Sequence, residues 1–268
     1  MYSKPVTHAA PALRLKNPPL IYVVAQVRFS HVVAIEKYVA EIQEALRHKG
    51  FPRFLKGQVH EIAFQADGAP KFNVVDRFEF QDKDSSLGIV LQPNSVAIHT
   101  NRYLNYERFE ENAQIALMAV HRALNISLSE RIGLRYVNLI RLGSGEKWSE
   151  YLDQGLLGLD PNSVGVRSWT SRAEFFGATQ AGTLAVRCSQ SEQPLPPDLS
   201  VNTLKLATDL EKGEIVTTLD FDHYVEKISD FKVSSVMAIF GQLHESLDTV
   251  FSTAVSPKAL TKWGKEEA

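Results

Sequence analysis

The densest run of titratable side chains is DFDHY, Asp220 to Tyr224. On a strand, Asp220 and Asp222 share one face, where two carboxylates could hold a cation or work as an acid–base pair. Aspartates leaving a strand also build turns and cap helices, and no third carboxylate completes a ligand set here. The second candidate is the arginine series in ERIGLRYVNLIRL, Glu130 to Leu142. A strand turns Arg131, Arg135, Val137 and Arg141 to one side and Ile132, Leu134, Tyr136, Ile140 and Leu142 to the other. Arginines presented from a sheet grip carboxylates or compact anions through paired hydrogen bonds.

His121 and His244 sit at matching places on two amphipathic segments, one step past the apolar stripe. A zinc-binding helix needs ligands at i and i+4. His244 has Asp248 at that spacing but His121 has only Asn125, so boundary histidines reaching water are the simpler reading. GSGEKWSEYL, Gly143 to Leu152, lacks the spacing and the Lys-Ser/Thr pair of a phosphate loop, and reads as a glycine turn with Glu146 near a helix start. Cys188 shares an apolar strand face with Leu184 and Val186, as a buried inert thiol does. No nucleophile elbow, catalytic triad or dinucleotide fingerprint is present.

The elements that must carry these residues follow from periodicity. Residues 1–19 form an extended, proline-rich arm. A strand at Leu20–Ser30 and a helix at Val33–Lys49 come next, then strands at Gln58–Gln65, Asn73–Gln81, Ser86–Gln92 and Ser95–Asn101, and a helix at Tyr106–Leu124. The second half offers a strand at Glu130–Leu142, a short helix at Lys147–Leu157, and strands at Ser171–Ala178, Gly182–Ser189, Val201–Leu210 and Glu214–Phe221. A helix at Val233–Ser252 closes it, before a charged, frayed tail. Both halves read strand, helix, four strands, helix. Ala113, Leu117, Val120, His121 and Leu124 fall opposite Val236, Phe240, Leu243, His244 and Leu247 without a gap, which favours a duplication.

The fold class is therefore α+β: two similar halves, residues 20–128 and 129–256, each with an antiparallel sheet and long closing helices on one face, flanked by the arm at 1–19 and the tail at 257–268. This order resembles the TATA-binding-protein-like and helix-grip layout, in which a sheet curls around a closing helix. NPPLIYVVAQVRFS, ERIGLRYVNLIRL and FGQLHESLDTVFSTAVSP resemble landmarks of a sporadically distributed family of uncharacterised bacterial proteins of similar length. That resemblance brings no catalytic residues and implies an accessory role such as defence or mobile-element biology.

The 29 basic and 31 acidic side chains among 268 residues leave a net charge of −2, which excludes a generally basic nucleic-acid binder. A single cysteine excludes a disulfide framework and a multi-cysteine zinc site. With no signal-like start and no apolar run long enough to span a bilayer, a cytoplasmic protein without membrane contact is expected. The open face would carry Tyr22, Gln26, Arg28, Arg77, Glu79, His99 and Asn101 from the first half, and Arg172, Glu174, Arg187, Lys205, Asp209, Thr218 and Asp220 from the second. Such a mixed face suits a protein partner or an anion, with Arg28, Arg135, Arg172 and Arg187 as the binding residues and no cofactor, metal or catalytic group. Alternatives are a nucleic-acid saddle on the same arginines, or a small-ligand protein or hydrolase with a cavity near Asp220 and His223.

Overall fold

A computed structural model describes residues 14–64, 70–166, 169–193, 195–199 and 202–265. Strand β1 (Leu20–Phe29) leads into helix α1 (Glu36–Arg47). Strands β2 (Arg53–Phe64), β3 (Pro70–Gln81), β4 (Leu87–Gln92) and β5 (Ser95–Thr100) precede helix α2 (Tyr106–Leu124). Strand β6 (Leu128–Ile140) opens the second half, followed by the one-turn α3 (Gln154–Leu157), β7 (Ser171–Ala178), β8 (Thr183–Ser191), β9 (Val216–Asp230), α4 (Val233–Ala254) and α5 (Pro257–Lys262).

The nine strands form one antiparallel sheet in the order β2-β3-β4-β5-β1-β6-β9-β8-β7. β1 and β6, the first strands of the two halves, lie side by side at its middle. β5 and β9, each followed by a long helix, flank that pair. Alternation in β1 places Val23, Ala25, Val27 and Phe29 under the helices, where Ile42, Leu46, Leu117, Val120, Phe240 and Leu247 complete one core. The protein is thus α+β, with the helices on one face of the sheet. Among the described residues no helix is long and apolar enough to cross a membrane.

The second half departs from the expected order. Val201–Leu210 is not a strand: its described part, from Asn202, runs as an irregular strap across the other face of the sheet. Its apolar–polar alternation is used all the same, because Leu206, with Leu199 upstream, is buried against Tyr22 and Val137. Alternation records one buried side, and a strap satisfies it as well as a strand does. The helix expected at Lys147–Leu157 shrinks to a single turn at Trp148–Glu150 and α3. Asp153 interrupts it by accepting a bond from the Gly155 amide at 2.8 Å. β9 continues to Asp230, past the expected end at Phe221, because β6 offers partners along that whole length, down to Leu128 opposite Asp230.

The charged tail is not frayed over its described part. Ser256 caps α5, and Trp263 packs against Tyr151 and Phe251. The described end of the N-terminal arm bonds to it, Asn17 N donating to Trp263 O at 3.0 Å. Residues 1–13 of the arm lie outside the described residues.

Candidate functional site

The face of the sheet opposite the helices carries a cleft of about 620 Å³ over β7, β8, β9 and β6, walled on one side by Leu195–Asp198, upstream of the strap. Arg135, Arg172 and Arg187 line it, so three of the four arginines singled out by sequence meet in one place. Arg28 does not join them: it stands exposed near the end of β1, opposite Arg131 in the β6 register. A shallower depression of about 360 Å³ continues across β1, β4 and β5, sharing Arg135, Asp198 and Asp222 with the cleft.

Most of the cleft's charge is already paired. Arg135 donates Nε and Nη2 to the two oxygens of Asp220 at 2.7 and 2.8 Å, and Nη1 to Asp198 at 2.5 Å. Burial works against the Arg135 charge, and these two carboxylates outweigh it, raising its pKa. Burial also opposes the charge on Asp198, but the Arg135 guanidinium prevails and lowers that pKa. Arg187 pairs with Glu174 at 2.6 Å, and Arg131 pairs with Asp222 at 3.1 Å while lying over the Tyr224 ring. Burial raises the Asp222 carboxyl despite that arginine. Arg172 is different: it lines the cleft, is exposed, and bonds no described side chain.

The DFDHY run does not converge into a catalytic group. Asp220 and Asp222 face the cleft, each held by an arginine, whereas His223 points to the helix side and meets Thr179 Oγ1 at 2.9 Å. Among the described residues no group of three or more His, Cys, Asp or Glu is placed to hold a metal. Cys188 is buried in the core, and burial pushes its thiol up to about 12.

A second polar cluster lies beneath the strap on the first half. Glu79 is 2% and His99 1% exposed. Glu79 accepts hydrogen bonds from Arg77 at 2.9 Å, Gln81 at 2.7 Å and the Thr203 hydroxyl, and meets His99 Nε2 at 3.1 Å. His99 Nδ1 is 3.0 Å from the Tyr22 hydroxyl. Burial alone would raise the Glu79 carboxyl, but the bonds from His99, Thr203 and Gln81 reverse it, to about 2. Thr203 thereby anchors the strap to β3. Asn101 adds a bond from Nδ2 to Lys205 O at 2.8 Å, and Arg141 one to Asp209 O. Glu79, His99 and Asn101 are identifiable as open-face residues from alternation alone. Their pairing is not, since it joins strands 20 residues apart to a strap more than 100 residues further on.

Gly88 makes room for that cluster: a Cβ there would lie 2.5 Å from His99 Nε2 and 3.1 Å from Glu79 Oε1. Gly88→Ala is expected to cost about 1–3 kcal/mol by overpacking, read from urea denaturation midpoints. An unchanged midpoint would show that the histidine can move aside freely.

The two helix histidines have unlike surroundings. His121 lies beside Phe231, its Nδ1 buried without a described partner. His244 does not reach out to water. It stacks on Tyr106 at 3.9 Å between ring centroids, its Nδ1 is 2.9 Å from the Tyr136 hydroxyl, and burial lowers its pKa to about 4. Tyr103 and Tyr106, which complete this cluster, carry no sequence signal beyond two aromatics bracketing the helix cap Asn105. No family model matches this chain, and no curated protein matches it in sequence.

Proposed function

We propose that this protein is a non-enzymatic, cytoplasmic recognition protein that holds an extended segment of a protein partner along β7 and the adjoining cleft. The observation that carries this reading is Arg172, an exposed cation on the edge strand β7 that pairs with no described side chain. Beside it Phe175 and Phe176 are 49% and 61% exposed, on opposite faces of β7. An unpaired edge offers main-chain hydrogen bonds to an added strand, and exposed aromatics beside it supply anchors. Arg172, Glu174 and Phe176 share the cleft side of β7, so a segment with an acidic residue near an apolar one would match them.

The cleft's paired charges argue against a polyanion. Arg135, Arg172 and Arg187 are outnumbered there by Glu174, Asp198, Asp220 and Asp222, so little counterion release would reward a nucleic acid.

The test is an affinity pull-down from host lysate treated with nuclease, comparing the native chain with Arg172→Glu and Phe176→Asp. Both residues are exposed, so the variants are expected to fold normally. A protein retained stoichiometrically by the native chain should fall by more than about ten-fold with either variant, as hot-spot residues do. Equal retention by all three chains would defeat the reading. Material lost on nuclease treatment would favour nucleic acid instead.

A further inference from the structure

On the helix side of the sheet a second cavity, of about 310 Å³, lies between the described end of the N-terminal arm, the start of α2, β6 and α4. It is distinct from the cleft, because Tyr136 and Arg135 are neighbours on β6 and point to opposite faces. Leu15, Pro18, Pro19, Leu20, Leu104 and Phe251 form its apolar walls. Four of its polar groups, Tyr103, Tyr136, His244 and Asp248, form one connected cluster. The Tyr103 and Tyr136 hydroxyls are 3.3 Å apart, Tyr136 reaches His244 Nδ1 at 2.9 Å, and Asp248 stands 3.6 Å from the same nitrogen.

Apolar walls with a few convergent polar groups are the common composition of small-molecule sites, and this volume is at the small end of their range. The aromatic rings of Tyr103, Tyr106, Tyr136 and His244 all border the space. Tyr106 also buries a hydroxyl that has no described hydrogen-bond partner, a group that a ligand's polar end could satisfy. Charge at the rim is not cationic: Arg14 faces Glu107 at 3.7 Å, and Asp248 is the other charged lining residue. That balance disfavours a carboxylate or phosphate ligand.

We infer that this cavity binds a small neutral, planar, mostly apolar molecule whose single hydroxyl or carbonyl meets the Tyr103–Tyr136–His244 hydrogen-bond chain. Offset stacking on the rings supplies affinity, and the hydroxyl chain selects a ligand with one polar end. The site belongs to the fold's interior side and does not depend on the β7 surface.

The test titrates the full chain with 2-naphthol, following ligand fluorescence and calorimetry. Saturable one-to-one binding is expected, weakened about five-fold with naphthalene as the probe or with Tyr136→Phe, each of which removes one hydroxyl. Leu104→Trp, at an exposed rim position, should block entry without unfolding the chain, as circular dichroism would check. Arg172→Glu should bind as the native chain does, which separates this site from the recognition surface. No saturable binding up to millimolar probe, or binding unchanged by both Tyr136→Phe and Leu104→Trp, would overturn the inference.

Discussion

Asp220→Ala is expected to lower folding stability by about 3–5 kcal/mol, the cost of leaving a buried charge without its partner. The Arg135 side chain is 17% exposed and that of Asp220 only 4%, so the guanidinium left behind could not hydrate freely. Asp198 would still face it, but that carboxylate is largely exposed and compensates only partly. Removing both members tests the cause. Arg135→Met with Asp220→Leu should recover more than half of the loss, since the buried charge leaves with its partner and the Asp198 carboxylate left behind is largely exposed. Urea denaturation of the single and double variants measures both quantities. A single-variant loss below about 1 kcal/mol would place the pair with ordinary surface bridges. The same pair also fixes Asp198, so the single variant should loosen the strap and speed amide exchange around Leu199.

Acid should destabilise the protein over two ranges, with His244 the largest contributor to the upper one and Glu79 the buried contributor to the lower one. His244 stays neutral in the folded chain down to about 4, against 6.5 for the free side chain, because burial opposes its charge. As pH falls from 6.5 to 4 the unfolded chain takes up a proton that the folded chain refuses, so stability falls, by about 3 kcal/mol for that shift. Glu79 acts lower and in the same direction. Its folded pKa of about 2 lies beneath the ordinary 4.5, so its stabilisation is complete above 4.5 and lost as pH falls toward 2. Denaturation midpoints recorded from pH 7 to pH 3 should therefore slope downward below 6.5. His244→Gln keeps a hydrogen-bonding partner for Tyr136 but cannot titrate, so it should shrink the upper step to the smaller share of His223, which burial also lowers, and leave the lower one intact. Identical slopes in both chains would mean that His244 is not the group responsible.

The class of the fold and most of its elements were legible from local pattern. β7 and α2 have the bounds that periodicity predicts, and β1, β4, β5 and β6 agree to within a residue or two, because a side chain's inward or outward sense is set by its neighbours along the chain. The same alternation placed Arg135, Arg172, Arg187, Glu79 and His99 on the face away from the helices. Other features depended on groups distant in sequence. Whether 202–210 joined the ladder or crossed it was settled by Glu79 and Tyr22, far upstream, which gave Thr203 and Leu206 partners on the open face of the sheet. Whether Arg135 was free for a ligand was settled by Asp220 and Asp198, 85 and 63 residues away, which occupy its donors, while Arg172 meets no carboxylate among the described residues. His244 looked like a surface histidine because its own helix offers it only Asp248. Tyr106 and Tyr136, brought in by α2 and β6, turned it into a stacked, hydrogen-bonded interior group. Local spacing determines which way a side chain faces, but charge pairing and burial depend on what the folded chain carries to meet it.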